Sequence, residues 1–245
     1  MPDVDLTIGL MNRCNECAVR HKAVCGALHA NELAQLNRIA RRKLVTKGET
    51  IMSDAEQADF FANVVSGVIK LTKTMADGRQ QIIGLQFPPD FLGRAYRTNN
   101  AYFAEAATDV ELCCFPRAEF EQMLKKFPDL EHRLFERTLD ELDAAREWML
   151  LLGRKSAEEK VASFLLMLAK RAGIIGCAHS AEQSEARFVL PITRADMADY
   201  LGLTIETVSR QITRLKVAGA VRVVDQRTFM VPDTDRLADV AGLDS

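Results

Sequence analysis

Cysteines near the amino terminus are the residues of this chain best suited to chemistry. Cys14 and Cys17 are separated by two residues, Cys25 follows, and a fourth thiol is available downstream at Cys113 or Cys114. Two thiols at this spacing can point to one centre from a single turn, and thiolates bind soft metal ions and iron–sulfur clusters. The pattern predicts a bound metal or cluster that forms only when this segment folds back onto the following domain. A zinc knuckle or incidental thiols remain alternatives.

A second set of polar side chains lies near the carboxyl end, on one face of a predicted helix. Glu206, Ser209, Arg210 and Thr213 recur at i, i+3, i+4 and i+7, opposite an apolar stripe. Arginine can bind guanine through two hydrogen bonds, glutamate can accept from cytosine, and serine can bond several bases. The first turns of a recognition helix enter the major groove. We therefore predict that Glu206, Ser209 and Arg210 read bases in duplex DNA.

Charged and hydroxyl side chains around this helix are suited to phosphates. The predicted contacts to the DNA backbone are Arg194, Thr204, Thr213, Arg214 and Lys216. The formal net charge of the whole chain is −2, so binding has to depend on this local charge. An ordinary helical hairpin with a solvated polar face is the alternative.

The elements that position these side chains form a predicted winged helix-turn-helix. Thr193 to Asp196 begins a first helix as a capping box in which Asp replaces the usual Glu or Gln. Gly202 breaks this helix and Thr204 caps a second one, the pattern of a helix-turn-helix. Residues 221–224 and 228–231 predict a hairpin wing, and the polar residues 173–187 predict a loop.

The preceding part of the chain changes its apolar period at Pro116. From about Leu44 to Pro116 the period is two, with frequent turn signals, which predicts a small antiparallel jelly roll. From Pro128 onward, apolar residues recur every three to five positions along one long helix. We predict a dimer seam, with a helix buried between domains as the alternative; the chosen seam residues are Leu134, Leu142, Ala145 and Met149. Acidic residues near the seam repel their copies and predict a marginal dimer.

Composition excludes several classes of protein. A chain of 245 residues with 48% hydrophobic and 27% charged residues is long enough for two modest domains. We find no secretory leader and no apolar run of the roughly 18 residues needed to span a membrane, which predicts a cytoplasmic protein with reduced thiols. A catalytic thiol–disulfide role for Cys14 and Cys17 would need a βαβ context, which is lacking. No paired carboxylates or Ser/His/Asp set indicates an enzyme.

Taken in order, these features resemble the CRP/FNR family of transcription regulators, in its oxygen-sensing FNR branch. The run Glu206-Thr207-Val208-Ser209-Arg210 matches the E-x-x-S-R signature of that branch. The resemblance implies half-sites in a TTGAT-N4-ATCAA palindrome, with Glu206 and Arg210 at the G·C pair and Ser209 at a neighbouring thymine. It also implies a homodimer and recruitment of RNA polymerase.

The same resemblance implies a 4Fe–4S cluster on Cys14, Cys17, Cys25 and Cys113. The spacing C-x2-C-x7-C has a longer second gap than the best-known pattern and is similar to the FnrL/FnrN-type branch. The family's fourth ligand stands three residues before a proline, as Cys113 does, and neighbouring side chains on a strand face opposite ways. A zinc, haem or thiol-redox sensor remains the alternative.

The predicted architecture is α+β: a cyclic-nucleotide-binding-like jelly roll, a long dimerisation helix and a winged helix-turn-helix. Its predicted limits are residues 1–30 for the cysteine-rich segment, 31–127 for the β-roll, 128–153 for the helix and 154–245 for the DNA-binding domain. In the cAMP-responsive branch an Arg-Ser pair holds the cyclic phosphate. Here Tyr102-Phe103-Ala104-Glu105 stands at roughly that place, so we predict no cAMP binding.

Overall fold

The computed structural model describes Cys14, residues 16–175 and residues 185–243. Residues 1–13 of the predicted cysteine-rich segment and residues 176–184 of the predicted loop lie outside the described residues. The chain divides into two compact units, Met1–Asp143 and Ala144–Ser245. This boundary falls inside the long helix that the sequence analysis treated as a segment of its own.

Eight strands of the first unit form two four-stranded antiparallel sheets. The strands are β1 (Arg41–Val45), β2 (Thr50–Met52), β3 (Phe60–Ser66), β4 (Ile69–Thr74), β5 (Gln80–Gln86), β6 (Phe91–Leu92), β7 (Phe103–Ala106) and β8 (Val110–Pro116). One sheet has the order β1-β8-β3-β6 and the other β2-β7-β4-β5. Strands β2 to β8 lie in the stretch from about Leu44 to Pro116, where the apolar period of two predicted strands.

Side chains from both sheets meet in one buried cluster. Val64 and Leu112 come from one sheet and Ile69 and Ala104 from the other. All four residues are fully buried. Gly67 makes the turn between β3 and β4 at φ +82°, where a Cβ atom would lie 2.2 Å from the Asp109 carbonyl oxygen. Two packed antiparallel sheets around one core confirm the predicted jelly roll.

A second buried cluster lies on the outer face of the β1-β8-β3-β6 sheet. There a 3₁₀ turn (Val24–Ala27) packs with helices α1 (Ala30–Ile39) and α2 (Arg117–Lys126). The Phe120 ring of α2 lies 5.4 Å from Phe61 of β3 and 5.2 Å from Phe115 of β8, measured between ring centroids. Because strand side chains alternate between faces, Phe61 and Phe115 belong to this layer while their neighbours fill the jelly roll.

The long helix α3 (Pro128–Arg154) follows directly. Proline suits the first turn of a helix because its missing N–H has no intrahelical partner there. Leu130 is fully buried in the same layer as Val24 and Phe120, so the first turn of α3 is anchored to the jelly roll.

The second unit contains the remaining elements. They are α4 (Ala157–Ile175), β9 (Ala186–Val189), α5 (Arg194–Leu201), α6 (Ile205–Val217), β10 (Arg222–Val223), β11 (Thr228–Val231) and α7 (Thr234–Val240). The predicted helix-turn-helix and wing are present as α5, α6 and the β10–β11 pair. Within residues 173–187, which were predicted as a loop, α4 continues to Ile175 and β9 begins at Ala186. Pairing of β9 with β11 stabilises this strand, which local pattern did not indicate.

Within the second unit, the carboxyl end of α3 packs on the helix-turn-helix. The Trp148 ring stacks on the Tyr200 ring of α5 at 4.2 Å between centroids, and Tyr200 also contacts Phe164 of α4. Tyr200 is buried, so this contact joins α3 to the centre of the DNA-binding unit.

Candidate cluster site and DNA interface

The four predicted thiol ligands line one cavity in the first unit. Its walls are Cys14, Cys17, Val19, Arg20, Cys25, Leu36, Asn63, Val65, Cys113 and Phe115. Three thiols come from the segment before α1 and the fourth from β8, so only the folded chain brings them together. Apart from Arg20 and Asn63, the lining side chains are thiols or apolar groups.

Packing and weak polar contacts hold these thiols in place. Val24 is 1% exposed and anchors the 3₁₀ turn that carries Cys25. Cys14 Sγ donates to Asn37 Oδ1 on α1 at 3.3 Å, and Asn63 Nδ2 approaches Cys25 Sγ at 4.0 Å. Asparagine side chains were not singled out from the sequence, and nothing in their spacing marks them.

The structure separates the two adjacent cysteines of β8. Cys114 belongs to the buried cluster between the sheets, whereas Cys113 packs against the outer layer that contains Cys14 and Cys25. In the strand register Cys113 lies opposite Arg42 of β1 and Asn63 of β3. Of the two thiols on β8, Cys113 is therefore the one that lines the cavity.

Burial dominates the electrostatics of this cavity. Desolvation, and then the neighbouring thiols, raise the pKa of Cys25 to about 12 and that of Cys113 to about 12. The pKa of Cys14 is also raised by burial and by Cys17, while Arg20 and Arg42 oppose that rise. The free thiols of Cys14, Cys25 and Cys113 are therefore protonated at neutral pH, and a bound metal centre would have to displace their protons.

Four thiols are a donor set that either a zinc ion or an iron–sulfur cluster could take. Among the described residues, no three His, Cys, Asp or Glu side chains are grouped as ligands of one ion. Zinc needs four ligands at about 2.0–2.3 Å from one centre, whereas a cluster distributes its four thiolates over several iron atoms. The cavity measures about 20 Å³, so holding a cluster would require its walls to separate.

Gly26 allows a close backbone approach beside Cys25. A Cβ atom there would lie 2.8 Å from the Arg20 carbonyl oxygen and 2.9 Å from that of His21. We expect Gly26→Ala to lower the free energy of unfolding by about 1–3 kcal/mol, because backbone atoms must shift to relieve the overlap. Urea unfolding measures this effect. Gly84→Ala is the matched control, since its Cβ would meet Leu71 at an ordinary 3.5 Å. Equal losses in both variants would contradict the prediction.

The predicted recognition helix α6 presents its polar face as expected. Thr204 caps the helix by accepting from the Thr207 N–H at 3.2 Å, and Gly202 forms the preceding turn at φ +62°. Glu206 and Arg210 are exposed, while Ser209 is half-buried. The pKa of Glu206 is lowered by its own backbone N–H, by the Thr204 hydroxyl and by Arg210. The inward stripe is buried and consists of Val208, Ile212 and Leu215.

All predicted phosphate contacts except Arg194 are exposed. Arg214 and Lys216 are exposed near the carboxyl end of α6. The exposed Thr213 hydroxyl donates to the Ser209 carbonyl oxygen of its own helix at 3.0 Å. Arg194 differs, because its Nη1 donates to Ser209 Oγ at 3.3 Å. Arg194 thus contacts a predicted base-reading side chain directly, which its sequence position did not reveal.

Exposed apolar side chains of α3 form a line at successive spacings of four, three and seven residues. Phe135, Leu139, Leu142 and Met149 are 58%, 43%, 45% and 72% exposed. Leu134, also predicted in the seam, is half-buried and packs against the outer cluster of its own chain. Leu139 was part of the predicted apolar stripe but not of the chosen seam residues. Phe135 was not selected from the sequence, although its spacing of seven to Leu142 could have indicated it. Ala145 is exposed beside the line.

The position that would meet a cyclic phosphate carries an ion pair in this chain. Glu105 Oε1 of β7 lies 2.9 Å from Lys70 Nζ of β4. The Glu105 carboxylate offsets the positive charge of Lys70.

Comparison with known proteins agrees with this architecture. Residues 42–127 match the cyclic nucleotide-binding domain family, and residues 159–240 match the Crp-like helix-turn-helix domain family. The chain is 48% identical over 236 residues to the transcriptional activator protein FnrL of Cereibacter sphaeroides, covering 96% of this chain and 94% of FnrL. It is 29% identical to the fumarate and nitrate reduction regulatory protein of Escherichia coli K12, covering 96% and 92% of the two chains. The structure of FixK2 from Bradyrhizobium japonicum superposes with a TM-score of 0.73 at 32% identity, covering 82% of this chain and 97% of FixK2.

A jelly roll, a long helix and a winged helix-turn-helix together define a DNA-binding transcription regulator. The chain belongs to the CRP/FNR family, and its similarity to FnrL places it with the FnrL-type members. That family consists of regulators and not of enzymes. No helix among the described residues is long and apolar enough to cross a membrane.

Proposed function

We propose that this chain is an oxygen-responsive transcription regulator. In this proposal a 4Fe–4S cluster on Cys14, Cys17, Cys25 and Cys113 promotes dimerisation and DNA binding when oxygen is absent. The cavity lined by all four thiols is the observation that supports it most directly. Its similarity to FnrL and to fumarate and nitrate reduction regulators adds support. We place the protein in the cytoplasm, where thiols stay reduced.

Ligation would fasten the cysteine segment to the jelly roll. When bound, the cluster supplies a centre that oxygen degrades, so thiolate ligation would end in air. Cys113 is fixed in β8, and the other three thiols precede α1, so four-fold ligation holds that segment against the sheet. Val24 packs in the same layer as Leu130 of α3, so this segment and the first turn of the long helix belong to one buried cluster.

Arg137 provides a second connection between the segment and α3. Its Nη2 donates to the backbone carbonyl oxygen of Lys22, which lies between Cys17 and Cys25. We expect Arg137→Ala to weaken the anaerobic dimer about two- to tenfold without loss of bound iron. An exposed hydrogen bond of this kind contributes on the order of 1 kcal/mol. Sedimentation equilibrium under nitrogen measures the change.

Arg133→Ala is the matched control for this prediction. The Arg133 guanidinium pairs at 3.1 Å with Glu136 of the same helix, so its removal leaves the cysteine segment untouched. Equal weakening by both substitutions would show that the effect comes from helix charge and not from the contact to Lys22.

The homodimer would form along α3. Phe135, Leu139, Leu142 and Met149 lie on one line and would face their copies, with the small Ala145 allowing close approach. Acidic residues of α3 oppose this association, so the dimer depends on additional packing from the ligated segment. A twofold dimer then presents two recognition helices to the two half-sites of a palindrome.

The DNA contacts of the proposal follow the exposed face of α6. Glu206 and Arg210 would read the G·C pair of a TTGAT-N4-ATCAA-like palindrome, and Ser209 a neighbouring thymine. Arg214 and Lys216 would contact phosphates. Bound at a promoter, the dimer would recruit or block RNA polymerase, and the pairing of Glu105 with Lys70 supports control without cAMP.

An absorption spectrum of protein purified without oxygen tests the proposal. We expect a broad visible band that bleaches in air, with four iron and four sulfide per chain before bleaching, and a parallel loss of binding to the palindrome. A colourless protein that binds the same DNA with and without air would contradict oxygen sensing. Stoichiometric zinc in that protein would indicate a zinc site instead.

A further inference from the structure

Arg194 and Ser209 meet across the helix-turn-helix. Arg194 is the first residue of α5, and its Nη1 donates a 3.3 Å hydrogen bond to Ser209 Oγ in α6. Both side chains are half-buried, so solvent competes less for this bond than at a fully exposed site. A residue that serves only as a phosphate contact has no need to touch a base-reading side chain.

Helix caps hold the backbone on both sides of this bond. Thr193 Oγ1 accepts from the Asp196 N–H at 3.0 Å, and the Thr193 N–H donates to Asp196 Oδ2 at 2.9 Å. Thr204 caps α6 through Thr207 at 3.2 Å. Both helices therefore begin at fixed positions, and the Arg194–Ser209 bond joins two rigid elements.

The bond from Arg194 favours the Ser209 hydroxyl as a hydrogen-bond donor over its use as an acceptor. A serine hydroxyl has one proton to donate and two lone pairs that accept. Arg194 occupies one lone pair and places positive charge beside the oxygen, which repels a second approaching N–H group. The O–H proton remains available, so Ser209 faces the DNA as a donor.

Donor character selects among base edges. In the major groove, thymine O4, guanine O6 and the purine N7 atoms accept hydrogen bonds, whereas the amino groups of adenine and cytosine donate them. We propose that Arg194 is a positioning residue that holds Ser209 as a donor and thereby favours an acceptor edge, such as that of thymine. This inference rests on the proposed base-reading role of Ser209 and adds the residue that sets the direction of its hydrogen bond.

A competing role for Arg194 makes a different prediction. Arg194 lines a cavity of about 350 Å³ together with Thr193 and with Gln226 and Arg227, which lie in the turn of the wing. A DNA phosphate in this cavity could contact the guanidinium groups of both Arg194 and Arg227. A pure phosphate contact lowers affinity for every sequence alike and reduces the salt dependence of binding. A positioning residue instead changes the preference at one base pair.

Selection from duplexes with randomised half-sites separates the two roles. Wild-type protein, Arg194→Ala, Ser209→Ala, the double variant and Lys216→Ala are incubated with the pool under nitrogen, and the bound DNA is sequenced. We expect Ser209→Ala to weaken the preference at one base pair. Arg194→Ala should weaken that same preference about two- to tenfold, the range expected for one hydrogen bond. Adding Arg194→Ala to Ser209→Ala should change it no further.

Lys216→Ala is the matched control, because this exposed residue has only a proposed phosphate role. It should lower affinity for all duplexes and leave the base preferences unchanged. The same result for Arg194→Ala would overturn the inference while base reading by Ser209 stands. An unchanged profile for Ser209→Ala would instead refute its base-reading role and the inference with it. If the alanine variant does not fold, Arg194→Lys replaces it, because an ammonium keeps the charge but lacks the planar fork.

Discussion

Cys113→Ala is expected to abolish the visible absorption of the anaerobic protein and to reduce its DNA affinity to the level seen in air. Cys113 is the only thiol of β8 that lines the cavity with Cys14, Cys17 and Cys25. Its removal leaves three ligands for a centre that requires four. If ligation shifts dimerisation by roughly 3–5 kcal/mol, DNA affinity should fall by about two to four orders of magnitude.

Cys114→Ala provides a control one residue away. Cys114 is 9% exposed and packs between the sheets of the jelly roll, so its truncation removes core contacts and no ligand. We expect a loss of stability on the order of 1 kcal/mol with normal absorption and normal anaerobic binding. Absorption spectra, iron content and fluorescence anisotropy with the palindrome compare the two variants. Normal iron in Cys113→Ala together with depleted iron in Cys114→Ala would refute the proposed ligand set.

Leu142→Glu is expected to convert the anaerobic dimer into monomer. Leu142 lies in the middle of the exposed line on α3, and 45% of its side chain is exposed in the single chain. Burying one leucine side chain contributes about 1.5–3 kcal/mol, and a symmetric seam loses this contribution twice. The dissociation constant of the dimer should therefore rise at least about a hundredfold. Two added carboxylates facing each other increase the loss.

Ala144→Glu adds the same charge away from the line. Ala144 is exposed two residues after Leu142, on a different side of the helix. We expect this variant to remain a dimer under nitrogen and to bind the palindrome nearly as the wild-type protein does. Sedimentation equilibrium and anisotropy measure both variants. A dimeric Leu142→Glu protein with full DNA affinity would show that the two copies associate elsewhere.

The long helix shows what an apolar period can predict and what it cannot. Apolar recurrence from Pro128 predicted one long helix, and α3 runs from Pro128 to Arg154. Periodicity could not decide which of two neighbouring apolar residues faces inward, because Leu134 and Phe135 differ by only about 100° around a helix. Packing of α1, α2 and β8 beside the first turns of α3 decides it, and Leu134 is the one that contacts this layer.

Sequence alone determined the order of the elements and predicted which residues could do chemistry. The two-residue period predicted the jelly roll, Thr204 and Gly202 marked the helix-turn-helix, and the thiol spacing indicated a metal centre. These features depend on neighbours within a few positions, so they can be read along the chain. The choice of Cys113 over Cys114 as fourth ligand was a prediction that rested on the proline register of the resembled family and on the alternation of side chains along a strand.

Only the tertiary structure decided which distant residues meet. It brings Cys113 to the cavity of the amino-terminal thiols, Arg137 to the Lys22 carbonyl and Arg194 to the Ser209 hydroxyl. It also pairs β9 with β11, a strand that local pattern did not indicate. Such contacts depend on how separate elements pack, and side-chain type and spacing along the chain do not specify that packing. The switch and the specificity proposed for this regulator both depend on these long-range contacts.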